Sequence, residues 1–270
     1  MTLDDVNRHG LVLLGCGRMG SAMLAGWLDR GVTPDAVWVN EPHPSDWLLG
    51  TGVHLNAGLP ERPSVAVVAV KPQMMGAALP AMAALGGGGT LIVSVAAGTP
   101  IRAFEAAFGD GTPVVRAMPN TPAAIGRGIT AIVGNFAAGE AGLTLAETLL
   151  GAVGAVLRLE SEAQMDAVTA VSGSGPAYVF HLIEAMTAAG TAEGLPPDLA
   201  LRLATATVAG AGALAEGSGE TPDALRVAVT SPKGTTEAAL DVLMDTETGL
   251  EPLMRKAVAA AADRSRVLGS

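Results

Sequence analysis

The chain has 270 residues, 49% hydrophobic and 16% charged, enough for one large or two modest domains with real cores. A formal charge of −10, with Lys and Arg scattered, argues against nucleic acid and against a polybasic membrane contact; aromatics at 3% leave no platform for stacking bases. The single cysteine, Cys16, excludes an intramolecular disulfide and fits a reducing, cytoplasmic compartment.

No charged stretch followed by an apolar run opens the chain, so secretion is not expected. The longest apolar runs, Val65–Val70 and Leu91–Ala97, are strand length, well short of the roughly 20 residues of a membrane helix. In chain order, Leu11–Leu14 reads as a buried strand and Met19–Arg30 as a helix stopped by Gly31. Strands follow at Val37–Asn40, Val65–Val70, Leu91–Val95, Val114–Ala117, Ile129–Val133 and Val156–Leu159. Helices are expected from Lys71-Pro72 to about Ala84, over Pro100–Phe108 with Thr99 as N-cap, and over 139–151. Strands separated by helices mean an α/β, doubly wound parallel sheet.

Near Glu160 the pattern changes, and no convincing strand follows. Helices are expected over 161–171, 176–193, 197–216, 221–229, 234–244 and 247–266. Val179, Leu182, Ile183 and Met186 share one face, as do Leu250, Leu253, Met254, Ala257 and Val258. The domains are therefore 1–160, α/β, and 161–270, all-helical. Small-residue helices such as Ala204–Ala215 suit either a tight bundle core or a dimer interface, which resembles a core cut in half.

Gly15, Gly17 and Gly20 form G-x-G-x-x-G between a predicted strand and a predicted helix. The first glycine lets the chain turn, the second leaves room for a pyrophosphate, and the third lets helix and strand approach; the helix N-terminus faces the phosphates. The context makes this a dinucleotide site formed by Gly15, Cys16, Gly17, Arg18, Met19 and Gly20. Cys16 lies where a helix N-terminus lowers a thiol pKa, but it serves more simply as a small residue in a tight turn. Asn40 ends the second strand, where NAD and NADP are usually told apart, and Glu41 follows it. Asn tolerates either cofactor and Glu41 repels a 2′-phosphate only if it points inward, so NADH and NADPH both stay open. His43 reads as a loop residue. Ala69, Val70, Lys71 and Pro72 end the next strand at the ligand edge, and Asn120 lies in a proline-stiffened loop, Met118–Pro122, suited to touch the nicotinamide.

The histidines His9, His43, His54 and His181 are dispersed, with no metal-ligand spacing, so no metal is expected. His181 reads as a core-edge residue. Ser172–Pro176 looks like a nucleophile elbow but joins two helices rather than a strand to a helix. Val229–Thr236, V-T-S-P-K-G-T-T, is a polar breach between helices, and the backbone N–H groups opening the next helix suit a carboxylate.

Five segments carry a resemblance that runs essentially end to end: L-G-C-G-R-M-G at 14–20, A-V-K-P at 69–72, R-A-M-P-N-T-P at 116–122, D-A-V-T-A-V-S-G-S-G-P-A-Y at 166–178 and V-T-S-P-K-G-T-T at 229–236. The chain resembles the pyrroline-5-carboxylate reductases, the last enzymes of proline biosynthesis. The first segment is generic; the last two, in this order and spacing, are specific. The resemblance implies a Rossmann-type domain followed by a helical dimerisation domain, with dimers often assembled into rings. It implies that Ser231, Gly234, Thr235 and Thr236 bind 1-pyrroline-5-carboxylate, with the Thr236 hydroxyl facing the ring nitrogen. It departs at Lys233, where the family pattern has Gly, the residue that takes φ > 0 without strain.

The implied substrate is a cyclic imine carrying a carboxylate. Protonated, its C=N carbon accepts hydride, so no His/Asp dyad is required, and none is found. A related reductase acting on a hydroxy acid would want a lysine early in the second domain; residues 161–201 contain none. A non-catalytic dinucleotide sensor would need no S-P-x-G-T-T.

Overall fold

The structure, a computed structural model, describes residues 3–269. Two compact units make up the chain. One takes residues up to Gly173 together with those from Ala261 onward; the other is Ser174–Ala260.

In the first unit α1 (Leu3–His9) precedes β1 (Leu11–Leu14), α2 (Arg18–Asp29), β2 (Val37–Asn40), α3 (Asp46–Leu49), β3 (His54–Leu55) and β4 (Val65–Val68). Next come α4 (Met75–Ala81), β5 (Leu91–Ser94), α5 (Ile101–Phe108), β6 (Val114–Met118), β7 (Gly128–Gly134), α6 (Gly139–Leu150), β8 (Gly154–Arg158) and α7 (Met165–Val168), which runs into a π-helical turn at Thr169–Gly173. The eight strands form one sheet in the order β3-β2-β1-β4-β5-β6-β7-β8. The chain reverses its direction of build at β1 and β4, the switch point at which such sheets bind ligands.

The three strands β1, β4 and β5 are buried at every position, as expected of strands covered on both faces. Alternation divides them between two cores: Leu11 and Leu13 pack with Met23, Leu24 and Trp27, whereas Val12 and Leu14 pack with Ile92, Phe104 and Phe108. Buried Trp27 keeps its indole N–H satisfied by donating to the Leu149 carbonyl at 2.9 Å.

The Rossmann-type sheet expected from the sequence is present, with local differences; α1 is not among the elements expected, and the helix expected over 161–171 is a 3-10 turn, the short α7 and the π-helical turn. β6 and β7 pair antiparallel, since a short Thr121–Ile125 turn rather than a crossover helix joins them. β3 has only two residues and α3 four, too short for periodicity to reveal. The helix expected after Lys71 breaks into α4 and flanking 3-10 turns, with Pro80 near the end of α4. Thr99 does not cap α5: Pro100 holds that place in extended conformation, and Glu162 Oε1 accepts the Ile101 N–H at 2.9 Å.

The second unit contains α8 (Gly175–Ala192), α9 (Pro197–Gly217), α10 (Pro222–Ala228), α11 (Thr235–Leu243) and the first part of α12 (Leu250–Leu268). Gly190 of α8 lets α9 approach: a Cβ there would stand 3.5 Å from the Ala200 Cβ. Yet α8, α10 and α11 bury no residue, and α9 buries only Ala200 and Ala204. Phe180, Leu214 and Val242 are 59%, 56% and 71% exposed. His181 is exposed as well, its Nδ1 3.1 Å from Glu184 Oε2, not at a core edge, because α8 buries none of its residues within the second unit. By length and composition α9 could cross a membrane. It contains no long uninterrupted apolar run, since Asp198, Arg202, Thr205, Thr207 and Glu216 interrupt it.

Candidate cofactor loop and substrate turn

The glycine loop joins β1 to α2 at the switch point. Gly15 has φ 84°, which only glycine adopts freely. A Cβ there would lie 2.8 Å from the Ala69 carbonyl oxygen, so the loop is pressed against the end of β4. Ala69 N–H donates to Leu14 O at 2.7 Å, and Gly15 N–H to Asn40 O at 2.9 Å. Three of the predicted segments, 14–20, Asn40 and 69–72, thus meet at one sheet edge. A Cβ on Gly20 would run into the Gly15 carbonyl, which is the close helix–strand contact expected of the third glycine. Gly17 differs: a Cβ there would meet nothing within 4 Å, leaving open space at the N-terminus of α2. Gly17 is the N-cap, with no side chain capping the helix. The residues present therefore fit a dinucleotide pyrophosphate.

Arg18 and Lys71 are exposed and Met19 is half-buried. Val70 is half-buried, and the side chain of Pro72 lies outside the described part. Asn120 turns its carboxamide oxygen toward β7, accepting the Ile129 N–H at 3.0 Å, and thereby fixes the proline-stiffened loop. Met118, at the end of β6, reaches Gly173, where any Cβ would strike the Met118 side chain. The R-A-M-P-N-T-P and S-G-S-G-P segments thus touch.

Cys16 is buried, and burial pushes its thiol above the usual range; the Ser21 hydroxyl opposes the shift and the Glu41 carboxylate adds to it. The helix N-terminus does not make it a thiolate. Ser21 Oγ donates to Cys16 O at 2.8 Å, bracing the loop.

Glu41 points inward. Its Oε2 accepts the Cys16 N–H at 2.8 Å and its Oε1 accepts the His43 N–H at 3.0 Å. Sequence reasoning singled out its neighbour Asn40, whose side chain is exposed. The missed signal was Asn56, 15 residues on, which grips the Glu41 backbone by both ends of its carboxamide. Glu162, in contrast, has no signal in the sequence: Arg116 Nη1 donates to its Oε1 at 2.7 Å, so the arginine of R-A-M-P-N-T-P forms a structural ion pair.

In the second unit the polar breach is a tight turn. Gly234 N–H donates to Ser231 O at 3.0 Å, with Pro232 and Lys233 between them. Lys233 has φ 59°. Pro at the second turn position with φ > 0 at the third is the type II pattern, which normally selects glycine at the third. Lys233 therefore adopts the backbone that the resemblance assigns to glycine. Its N–H donates to Glu237 Oε2 at 2.6 Å. Gly234 is the N-cap of α11 and is close to Ser231; a Cβ on it would lie 2.9 Å from the Ser231 oxygen. Thr235 and Thr236 open the helix, and no N-cap side chain occupies its first N–H groups.

The residues 162–268 match the dimerisation domain of pyrroline-5-carboxylate reductase, and residues 10–98 match the family described as NADP oxidoreductase, coenzyme F420-dependent. The chain is 41% identical over 264 residues to a pyrroline-5-carboxylate reductase of Pseudomonas aeruginosa, covering 96% of each. Its fold is similar to that of a pyrroline-5-carboxylate reductase from Coxiella burnetii, with TM-score 0.88, 32% identity and 97% and 99% of the two chains covered. It is also similar to the Plasmodium falciparum pyrroline carboxylate reductase with NADP bound, with TM-score 0.84, 26% identity and 98% and 99% covered.

Proposed function

The chain belongs to the pyrroline-5-carboxylate reductase family and carries out NAD(P)H-dependent reduction of 1-pyrroline-5-carboxylate to L-proline, and we propose that its glycine loop and its Ser231–Thr236 turn are the two halves of that chemistry. The observation that carries this reading is the pairing, in one chain, of an open glycine loop with a glycine-capped turn opening a helix.

Bound NADPH or NADH supplies the hydride. The loop from Gly15 to Gly20 holds the pyrophosphate over the open face of Gly17, with Arg18 and Met19 opening α2. Asn40 lies at the adenosine end, and Ala69, Val70, Lys71, Pro72 and Asn120 flank the nicotinamide end. On the substrate side, the N–H groups opening α11 and the Ser231 hydroxyl take the carboxylate, an anion at a helix N-terminus. Gly234, lacking a side chain, leaves that approach clear, and Thr235 binds the substrate beside it. Thr236 hydrogen-bonds the ring nitrogen as it passes from iminium to amine. The protein's main contribution would be proximity, binding hydride donor and acceptor in one enzyme.

Functionally the chain divides at about residue 160: residues 1–160 bind the dinucleotide and 161–270 bind substrate and assemble the oligomer. The exposed apolar faces of α8, α9 and α12 support dimerisation through the C-terminal helices, with rings of dimers as the larger assembly. α9 is apolar for that interface rather than for a bilayer. A single unpaired cysteine, Cys16, and NAD(P)H dependence support a cytoplasmic enzyme.

Thr236→Ala tests the substrate half. Turnover should fall by about 10²-fold, the range expected for a lost catalytic hydrogen bond, with NAD(P)H affinity unchanged. Unchanged turnover removes Thr236 from the mechanism.

A further inference from the structure

We propose that Glu41 reads the adenosine ribose and makes this protein prefer NADH to NADPH, an inference that rests on the cofactor reading above. The Glu41 carboxylate is not a mobile surface charge. One oxygen is fixed by the Cys16 N–H inside the glycine loop, at 2.8 Å, and the other by the His43 N–H, at 3.0 Å. Asn56 locks the backbone beneath it, donating to Glu41 O at 3.0 Å and accepting from Glu41 N–H at 2.9 Å. Asn56 holds this position with φ 51°, the left-handed backbone that Asn tolerates better than most residues.

A carboxylate anchored to the glycine loop just past β2 stands where dinucleotide folds place the group that meets the ribose hydroxyls. There it accepts hydrogen bonds from the 2′- and 3′-hydroxyls of NADH. A 2′-phosphate brings acceptors and negative charge to the same place and finds repulsion. No Lys or Arg occurs between Arg30 and Arg62 to neutralise it. The preference therefore runs against the NADP in the name of the matching N-terminal family.

The test is direct binding to the unaltered protein, by titration calorimetry, of NADH, NADPH, 5′-AMP and 2′,5′-ADP. NADH should bind at least about tenfold more tightly than NADPH at low ionic strength, with the gap narrowing in salt. 5′-AMP should likewise bind more tightly than 2′,5′-ADP. Glu41→Gln keeps an oxygen for the Cys16 N–H but removes the charge; it should narrow the gap at least about fivefold, chiefly by tightening NADPH. NADPH binding as tightly as NADH, or a ratio untouched by Glu41→Gln, overturns the proposal. The wild-type ratio decides even if the variant fails to fold. Binding of neither nucleotide instead overturns the cofactor reading itself, a distinguishable result.

Discussion

Lys233 donates its backbone N–H to the carboxylate of Glu237 at 2.6 Å while holding a φ of 59°, so a strained residue is pinned by the first turn of the helix it precedes. A non-glycine residue in left-handed backbone costs about 1–2 kcal/mol, and glycine's greater freedom in the unfolded chain takes back about 0.5–1 kcal/mol. Lys233→Gly should therefore stabilise the protein by roughly 0.5–1 kcal/mol, seen as a higher midpoint in urea at fixed protein concentration. Lys233→Ala keeps the strain and should show no such gain. If both substitutions raise KM for the imine equally, the lysine charge assists the anionic substrate; a lower midpoint for Lys233→Gly contradicts the strain.

The glycines of the loop should separate folding from binding. Gly17→Val places its side chain in open space, so stability should change by less than about 0.5 kcal/mol while NAD(P)H binding is lost. Gly20→Ala forces a methyl group against the Gly15 carbonyl, an overpacking that costs about 1–3 kcal/mol. Calorimetric binding and thermal unfolding of both variants check this pair. Equal destabilisation by the two would show that the space at Gly17 is not open.

Cys16 should be a poor nucleophile. Its pKa is raised by burial above the ordinary 9.0, so the thiolate is scarce at neutral pH and each unit of increase removes about tenfold of it. Carboxamidomethylation followed by mass should be slow at neutral pH and accelerate only above about pH 9. Rapid modification at neutral pH would mean that the helix N-terminus dominates after all.

Arg158 grips two carboxylates, with Nε 2.6 Å from Glu147 Oε1 and Nη1 2.7 Å from Glu140 Oε1. Its hydrogen bonds hold both acids below their ordinary 4.5. Depressed acids contribute stability above their unfolded pKa and lose it as pH falls through the folded values. The Tm deficit of Arg158→Met relative to wild type should be largest near neutral pH and shrink as pH falls below the ordinary 4.5 through the lowered folded values. Because these groups are exposed, the deficit should also shrink in ~0.5 M salt. A deficit constant across pH would assign it to packing instead.

The sheet was legible in the sequence where strands are buried on both faces: Leu11–Leu14, Val65–Val68 and Leu91–Ser94 are uninterrupted apolar runs with few other readings. His54–Leu55 and the antiparallel entry of β7 were not, because a two-residue strand has no period and pairing direction is set by the length of the connection. The glycine loop could be placed because each of its glycines has a separate steric reason. Glu41 was ambiguous: adjacency to Asn40 cannot say which side chain turns inward, and the answer depends on Asn56, distant in sequence. At Lys233 the positive φ was anticipated only through a family pattern with glycine, and Glu237, which fixes it, went unnoticed.

Every role assigned above serves hydride transfer to a cyclic imine. The most direct measurement incubates the protein with 1-pyrroline-5-carboxylate and NADH or NADPH carrying deuterium at both nicotinamide C4 positions, in separate reactions, and locates the label by NMR. Proline should carry one deuterium at C5, the former imine carbon. Nucleotide oxidation without deuterium in proline, or no proline with either cofactor, would contradict it.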